Sequence, residues 1–252
     1  MKVKFLGVGE ACDPEYHNTS ILIKTTTGHD QIMLDCGFTV PHSYFSLVPD
    51  ADELNGLWIS HFHGDHFFGT PLLLLRLHEM GRKKSFLILG QKKISEKITD
   101  VMEMAYPGFV EKLSFSIEFL EVEPGDAIET AGFRWRSAES EHSARNLAVR
   151  LEAEGKSLFY SGDGRMTDAT RALANGCDLA IHEAFCLQGD MSGHGSVERC
   201  IDFSEKISVS HMAFVHLGRE NRAEHAKTIR EMISKVPGVH LFLPESGDEF
   251  QL

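Results

Sequence analysis

LNGLWISHFHGDH, residues 54–66, is an apolar run that breaks off into a polar cluster. Leu57, Trp58 and Ile59 read as a buried strand, and His61, His63, Asp65 and His66 follow close behind it. Nitrogen and carboxylate oxygen donors are thereby presented at the end of a rigid element. Such donors, with no sulfur among them, suit divalent first-row metals such as zinc, manganese or iron. Adjacent side chains cannot all face one ion, so spacing decides. His61 and His63, two apart, can point the same way, while Asp65 and His66 diverge toward a second point. That arrangement suits two metals sharing one site.

Outward from this stretch, the flanking sequence alternates well enough for strands at 3–9, 20–25 and 31–35, with Thr27-Gly28-His29-Asp30 as a hairpin turn. Residues 38–53 give no firm pattern. Thr70 and Pro71 suit the start of a helix over 71–80 that Gly81 ends. His78 on that helix is expected to face solvent. A short strand at 85–89 precedes a helix over 92–104, whose Ile94, Ile98, Val101 and Met102 recur at helical spacing. Strands are expected at about 114–123, 133–139, 146–152 and 157–161. The last third alternates helix and strand: helices at 167–175, 196–207 and 223–235, strands at 178–182, 212–217 and 240–243. No repeat or low-complexity linker divides the chain, so residues 1–252 read as one domain of two packed sheets flanked by helices, an α/β sandwich.

The chain has 252 residues, 42% hydrophobic and 25% charged, and a formal net charge of −12. That charge argues against broad gripping of a phosphate backbone. It leaves room for a small phosphorylated substrate, because a metal pair outweighs remote surface charge locally. Five scattered cysteines with no CxxC read as buried free thiols of a reducing cytoplasm. The first residues do not read as a signal peptide, and no apolar run is long enough to span a membrane.

A two-metal site needs more donors than the cluster supplies. His142 lies just past the strand ending near 139, Asp163 sits in Gly162-Asp163-Gly164 after Ser157–Tyr160, and His216 ends Met212–Val215. A carboxylate, with two oxygens, can bridge two ions. Taken singly, Asp163 reads as a turn residue, and a histidine after a strand reads as a surface residue. Three strand ends each delivering a His or Asp are instead what a site at one edge of a scaffold requires. Of the 14 histidines, His17, His29, His42, His78, His211, His225 and His240 read as ordinary.

HFHGDH, EHSARNLAVRLE, FYSGDG, IHEAF, GHGS and VHLGRE, in that order, resemble the metallo-β-lactamase fold hydrolases, closest to the branch of ribonuclease Z and related phosphodiesterases. The resemblance implies an αββα sandwich. It implies one metal held by His61, His63 and His142, a second by Asp65, His66 and His216, and Asp163 bridging them. Zinc is the expected ion. The resemblance also makes Asp65, Glu183 and His194 candidate catalytic residues, Glu183 orienting His194 and His194 contacting the phosphate. Gly164 stands where the branch has Thr, and Gly195-Ser196 where it has Ser-Thr. The arm that grips tRNA in this branch has no counterpart: the 20 residues 143–162 are already used by two strands. A small or nucleotidic phosphodiester is therefore the expected substrate, tRNA is not, and pairing as a homodimer is a property of many sandwich members. The competing readings are an ester, thioester or lactone hydrolase, for which the HEAF and GHGS segments have no obvious task, and a non-catalytic metal-binding protein.

Overall fold

The computed structural model describes residues 1–28, 30–47, 50–189 and 191–252. His29, which the sequence suggests is an ordinary turn histidine, lies outside them. The first half runs β1 (Lys2–Gly7), β2 (Ser20–Lys24), β3 (Gln31–Leu34), α1 (Val40–Leu47), β4 (Gly56–Ile59), α2 (Gly64–Phe67), α3 (Thr70–Glu79), β5 (Phe86–Gly90), α4 (Ile94–Ala105) and β6 (Ile117–Glu121). The second half runs β7 (Ile128–Thr130), β8 (Phe133–Ser140), β9 (Asn146–Ala153), β10 (Lys156–Tyr160), α5 (Asp168–Ala174), β11 (Leu179–Glu183), α6 (Val197–Lys206), β12 (His211–Val215), α7 (Arg219–Ile233) and β13 (His240–Phe242). A last strand, β14 (Glu249–Gln251), returns to pair with β1. Two seven-stranded sheets result, ordered β14-β1-β2-β3-β4-β5-β6 and β13-β12-β11-β10-β9-β8-β7.

Side-chain alternation explains the layers. Trp58 turns inward and joins Val3, Phe5, Ile21, Leu34, Trp135, Val149, Leu158, Tyr160 and Ile181 in the core between the sheets. Its neighbours Leu57 and Ile59 turn outward beneath the helices, with Leu73, Leu77, Ile94 and Ile98. In the second sheet Phe159, Ala180 and Phe214 do the same under α5, α6 and α7, with Cys200, Phe203 and Ile229. Because the strand period is two, a slip of one residue would exchange the two cores. Trp58 and Trp135 stack across the gap, their centroids 6.0 Å apart. Far from the polar cluster, Glu154 in the β9–β10 turn accepts hydrogen bonds from Thr26 N, Thr26 Oγ1 and Thr27 N, tying one sheet to the other.

Strands β3 to β6 are mutually parallel, as are β10 to β13. β8 and β10 are each antiparallel to β9 and so run the same way. Parallel strands end at one edge, and ligand sites in α/β proteins form outside those carboxyl ends.

Several expectations change in detail. Residues 38–53, given no pattern, contain α1. Helix α7 begins at Arg219 rather than 223, because its first turns are too charged to show an apolar stripe. His78 is half-buried, accepting from Ser114 N at 3.0 Å through Nδ1 and packing on Phe109, so it does not simply face solvent. Cys36, Cys177 and Cys200 are buried free thiols, whereas Cys12 is exposed and Cys186 lies in between.

Candidate metal centre

The carboxyl ends of β4, β8, β10 and β12 bring His61, His63, Asp65, His66, His142, Asp163 and His216 together. They form two groups that share Asp163: His61, His63, His142 and Asp163, and Asp65, His66, Asp163 and His216. Within each group the donor atoms lie within 4.8 Å of one another. The two oxygens of Asp163 divide between them. Oδ1 lies 3.3 Å from His66 Nε2 and 3.5 Å from His216 Nε2, while Oδ2 lies 3.9 Å from His61 Nε2 and 4.0 Å from His142 Nε2. Asp65 Oδ2 sits 3.2 Å from His216 Nε2 and 3.3 Å from His66 Nε2. Across the first group, His63 Nδ1 and His142 Nε2 are 3.1 Å apart.

The rings are held from behind. His66 Nδ1 donates to Asp35 Oδ2 at 2.7 Å, and the same oxygen accepts from Ser60 Oγ and Tyr160 OH, each at 2.7 Å. Asp35 Oδ1 accepts from Ser60 N. Ser60 Oγ, having donated to Asp35, is left to accept from His61 Nδ1 at 3.0 Å. His142 Nδ1 donates to Gly193 O at 2.7 Å. In His61, His66 and His142 Nδ1 is thereby committed, and Nε2 is the ring atom that faces the centre. Such outer partners fix ring orientation in metal sites. Asp35 and His216 hold φ of 59° and 55°, a left-handed conformation that costs a non-glycine residue about 1–3 kcal/mol. Gly37 is forced by contact, since a Cβ there would fall 1.9 Å from Asp65 O. Asn146 fastens the Asp163 turn, accepting from Asp163 N and donating to Ser161 O.

Electrostatics draw positive charge to the shared end. Burial opposes a charge on His66, yet Asp163 and Asp35 hold its pKa well above the usual histidine value. His216 is likewise pushed up to about 9, burial being outweighed by Asp163 and the hydrogen bond to Asp65. Burial pushes the Asp65 and Asp163 carboxyls up, but His216 and His66 hold both well below the usual range. His61, in the other group and beside His66, is driven well below its ordinary value by burial and then by His66.

The arrangement fits divalent cations. Nε2 of His61, Nε2 of His66 and Oδ1 of Asp163 are buried with no hydrogen-bond partner, and an orphaned buried polar atom costs about 1–3 kcal/mol. All three point into the space the donors share, and nitrogen with carboxylate oxygen is the donor set zinc and similar metals take.

Beside the centre lie the other two sequence candidates. Glu183, fully buried at the end of β11, accepts from Gly195 N at 2.6 Å, Gly164 N at 3.1 Å and Phe185 N at 3.1 Å. His194 Nδ1 stands 3.6 Å from Glu183 Oε1, outside hydrogen-bond distance. The His194 ring lies against Phe185, His142 and His216, with centroids 4.8, 5.0 and 6.0 Å away, and its side chain is 20% exposed. Sequence reasoning missed Asp35, Ser60, Asn146, Tyr160 and Gly193 as supports; Asp35-Cys36-Gly37 reads only as the end of a hairpin.

Residues 1–235 match the family model described as anti-Pycsar protein Apyc1. The chain belongs to the anti-Pycsar protein Apyc1 family. The resemblance to ribonuclease Z read from the motifs is also borne out. A ribonuclease Z of Methanosarcina acetivorans is 29% identical over 232 residues, covering 73% of this chain and 74% of that one. Of some other ribonucleases Z, from Methanosarcina mazei and Listeria monocytogenes, the chain spans about half the length, 48% and 56%. Among solved structures, the metallo-β-lactamase fold protein YhfI from Bacillus subtilis superposes with a TM-score of 0.81 at 18% identity, covering 99% of this chain and 98% of that one. Human tRNase Z, short form, gives 0.80 at 19% identity, over 100% and 99%. The fold of this family member is the metallo-β-lactamase αββα sandwich. Among the described residues no helix is long and apolar enough to cross a membrane.

Proposed function

We propose that the chain is a dinuclear metal-dependent phosphodiesterase of one hydrolase domain, acting on a small or nucleotidic phosphodiester. The observation that carries this reading is Asp163, whose two oxygens face two different groups of histidines. His61, His63 and His142 would hold one ion, Asp65, His66 and His216 the other, and Asp163 both. Zinc suits the donors, and manganese or iron suits them too. Bound ions would supply an acidified water and neutralise charge on the phosphate.

The chain's own residues would do the rest. Asp65, with Oδ2 turned to His66 and His216, keeps its other oxygen to take a proton from the attacking water. His194, at the partly open side, would contact the phosphate and hand a proton to the leaving oxygen. The wall of Phe185 beside it would keep that ring in one plane and shed water. The ribonuclease Z relatives support phosphodiester chemistry, and the net charge of −12 supports a substrate smaller than tRNA. Five of the six large apolar side chains exposed among the described residues, Phe38, Leu47, Phe68, Leu72 and Met104, lie on or beside α1, α3 and α4, which supports a homodimer. Three buried free thiols support a reducing, cytoplasmic setting.

Parallel phosphodiester and thioester panels, run after loading with zinc or manganese, test the proposal. Turnover of phosphodiesters is expected. Turnover confined to thioesters, or of neither with two ions bound, would overturn it. Sedimentation velocity reads the oligomeric state.

A further inference from the structure

We infer that Glu183 is a positioning residue that works through backbone amides, holding the Asp163 turn, Phe185 and the Gly193–Gly195 segment in register with the His142 ring independently of His194. The inference rests on the reading of the site as a metal centre. Its carboxylate is shared among three backbone segments, after β10, after β11 and just before α6: Oε1 accepts from Gly195 N at 2.6 Å and Gly164 N at 3.1 Å, and Oε2 from Phe185 N at 3.1 Å. Gly164 directly succeeds Asp163 in the chain. Phe185 follows β11 closely, and Gly195 directly succeeds His194. Two residues before Gly195, Gly193 accepts the Nδ1 proton of His142 at 2.7 Å. One buried carboxylate therefore fixes both the backbone just after Asp163 and the loop whose carbonyl stands behind His142.

The His194 ring takes no part in this. Its Nδ1 is buried without a hydrogen-bond partner, 3.6 Å from Oε1, whose lone pairs are already engaged by two amides. Hydrogen bonds to a carboxylate are stronger than neutral ones, so three of them make a stiff anchor for glycine-rich backbone. Glutamine cannot reproduce it. It offers one acceptor oxygen and turns a donor NH2 toward at least one of the three amides.

The test compares wild type, Glu183→Gln, His194→Ala and the double variant. In metal-free wild-type protein, amide hydrogen exchange followed by NMR should show Gly164, Phe185 and Gly195 strongly protected although none is in a helix or strand. This measurement needs no variant to fold, and free exchange at these amides would overturn the inference. In Glu183→Gln the three should exchange faster together, and in His194→Ala they should not change. Zinc affinity, measured against a chromophoric chelator, should fall roughly 10–100-fold in Glu183→Gln, as for other outer-sphere supports. The same factor should appear when His194 is already alanine. If Glu183→Gln costs nothing in the His194→Ala background, Glu183 acts through His194 and the inference falls. Wild-type protein that binds zinc but cleaves no phosphodiester would overturn the proposed reaction and leave these measurements intact.

Discussion

His66 Nδ1 lies 2.7 Å from Asp35 Oδ2, and both side chains are fully buried. The same oxygen accepts from Tyr160 across the interface between the two sheets. The ring that faces the shared end of the centre is thus steered from the sheet interior.

Asp35→Asn should weaken binding of one ion by roughly 10–100-fold, the usual effect of losing a carboxylate behind a ligating histidine. Asparagine keeps the size but can offer its NH2 to the donors Ser60, His66 and Tyr160. Chelator competition resolved into two steps checks this; equal weakening of both steps would count against the assignment of His66 to one ion.

Asp163→Ala should lose both ions, because its oxygens face both groups of donors. His216→Ala should lose mainly one. Metal analysis of the two reconstituted proteins decides, and the same residual content in each would sink the bridging role.

His194→Ala should keep both ions and the fold while kcat falls by roughly 10²–10⁴, the scale of general acid–base help. The loss should be larger for an alkoxide leaving group than for nitrophenolate, which needs little protonation. Full kcat on an alkyl phosphodiester would reduce His194 to a wall of the site.

Glu154 gives a pH-dependent contribution to stability. Hydrogen bonds from the Thr26 hydroxyl and amide hold its carboxyl at about 2, against 4.5 for an ordinary glutamate. A depressed folded-state pKa stabilises the fold above the unfolded value and stops doing so as pH falls through the folded one. The urea-midpoint gap between wild type and Glu154→Gln should therefore be full at pH 6 and shrink as pH drops from about 4.5 toward 2. A gap that stays constant to pH 3 would refute the assignment.

The candidate donors were legible because their signals are local: HFHGDH is six consecutive residues, and Asp163 and His216 each follow a plain apolar strand. The supports were not, since they are made across the fold. His66 meets Asp35 across 31 residues of chain and His142 meets Gly193 across 51, and no periodicity records such contacts. α1 escaped because Val40–Leu47 has no acidic first turn and no basic last turn. β7 and β14, three residues each, are too short to show alternation.

The placement of Glu154 has a mechanical consequence. Its turn joins the sheets at the end of β10 opposite to Asp163. The donors at the other end come from both halves of the chain: His61, His63, Asp65 and His66 from the first sheet, His142, Asp163 and His216 from the second. Neither sheet can complete a coordination sphere alone. The ions would therefore act as rivets along one rim of a clamshell whose other rim is already latched. Stripping them would loosen the mouth first and leave the latch as the hinge about which it opens.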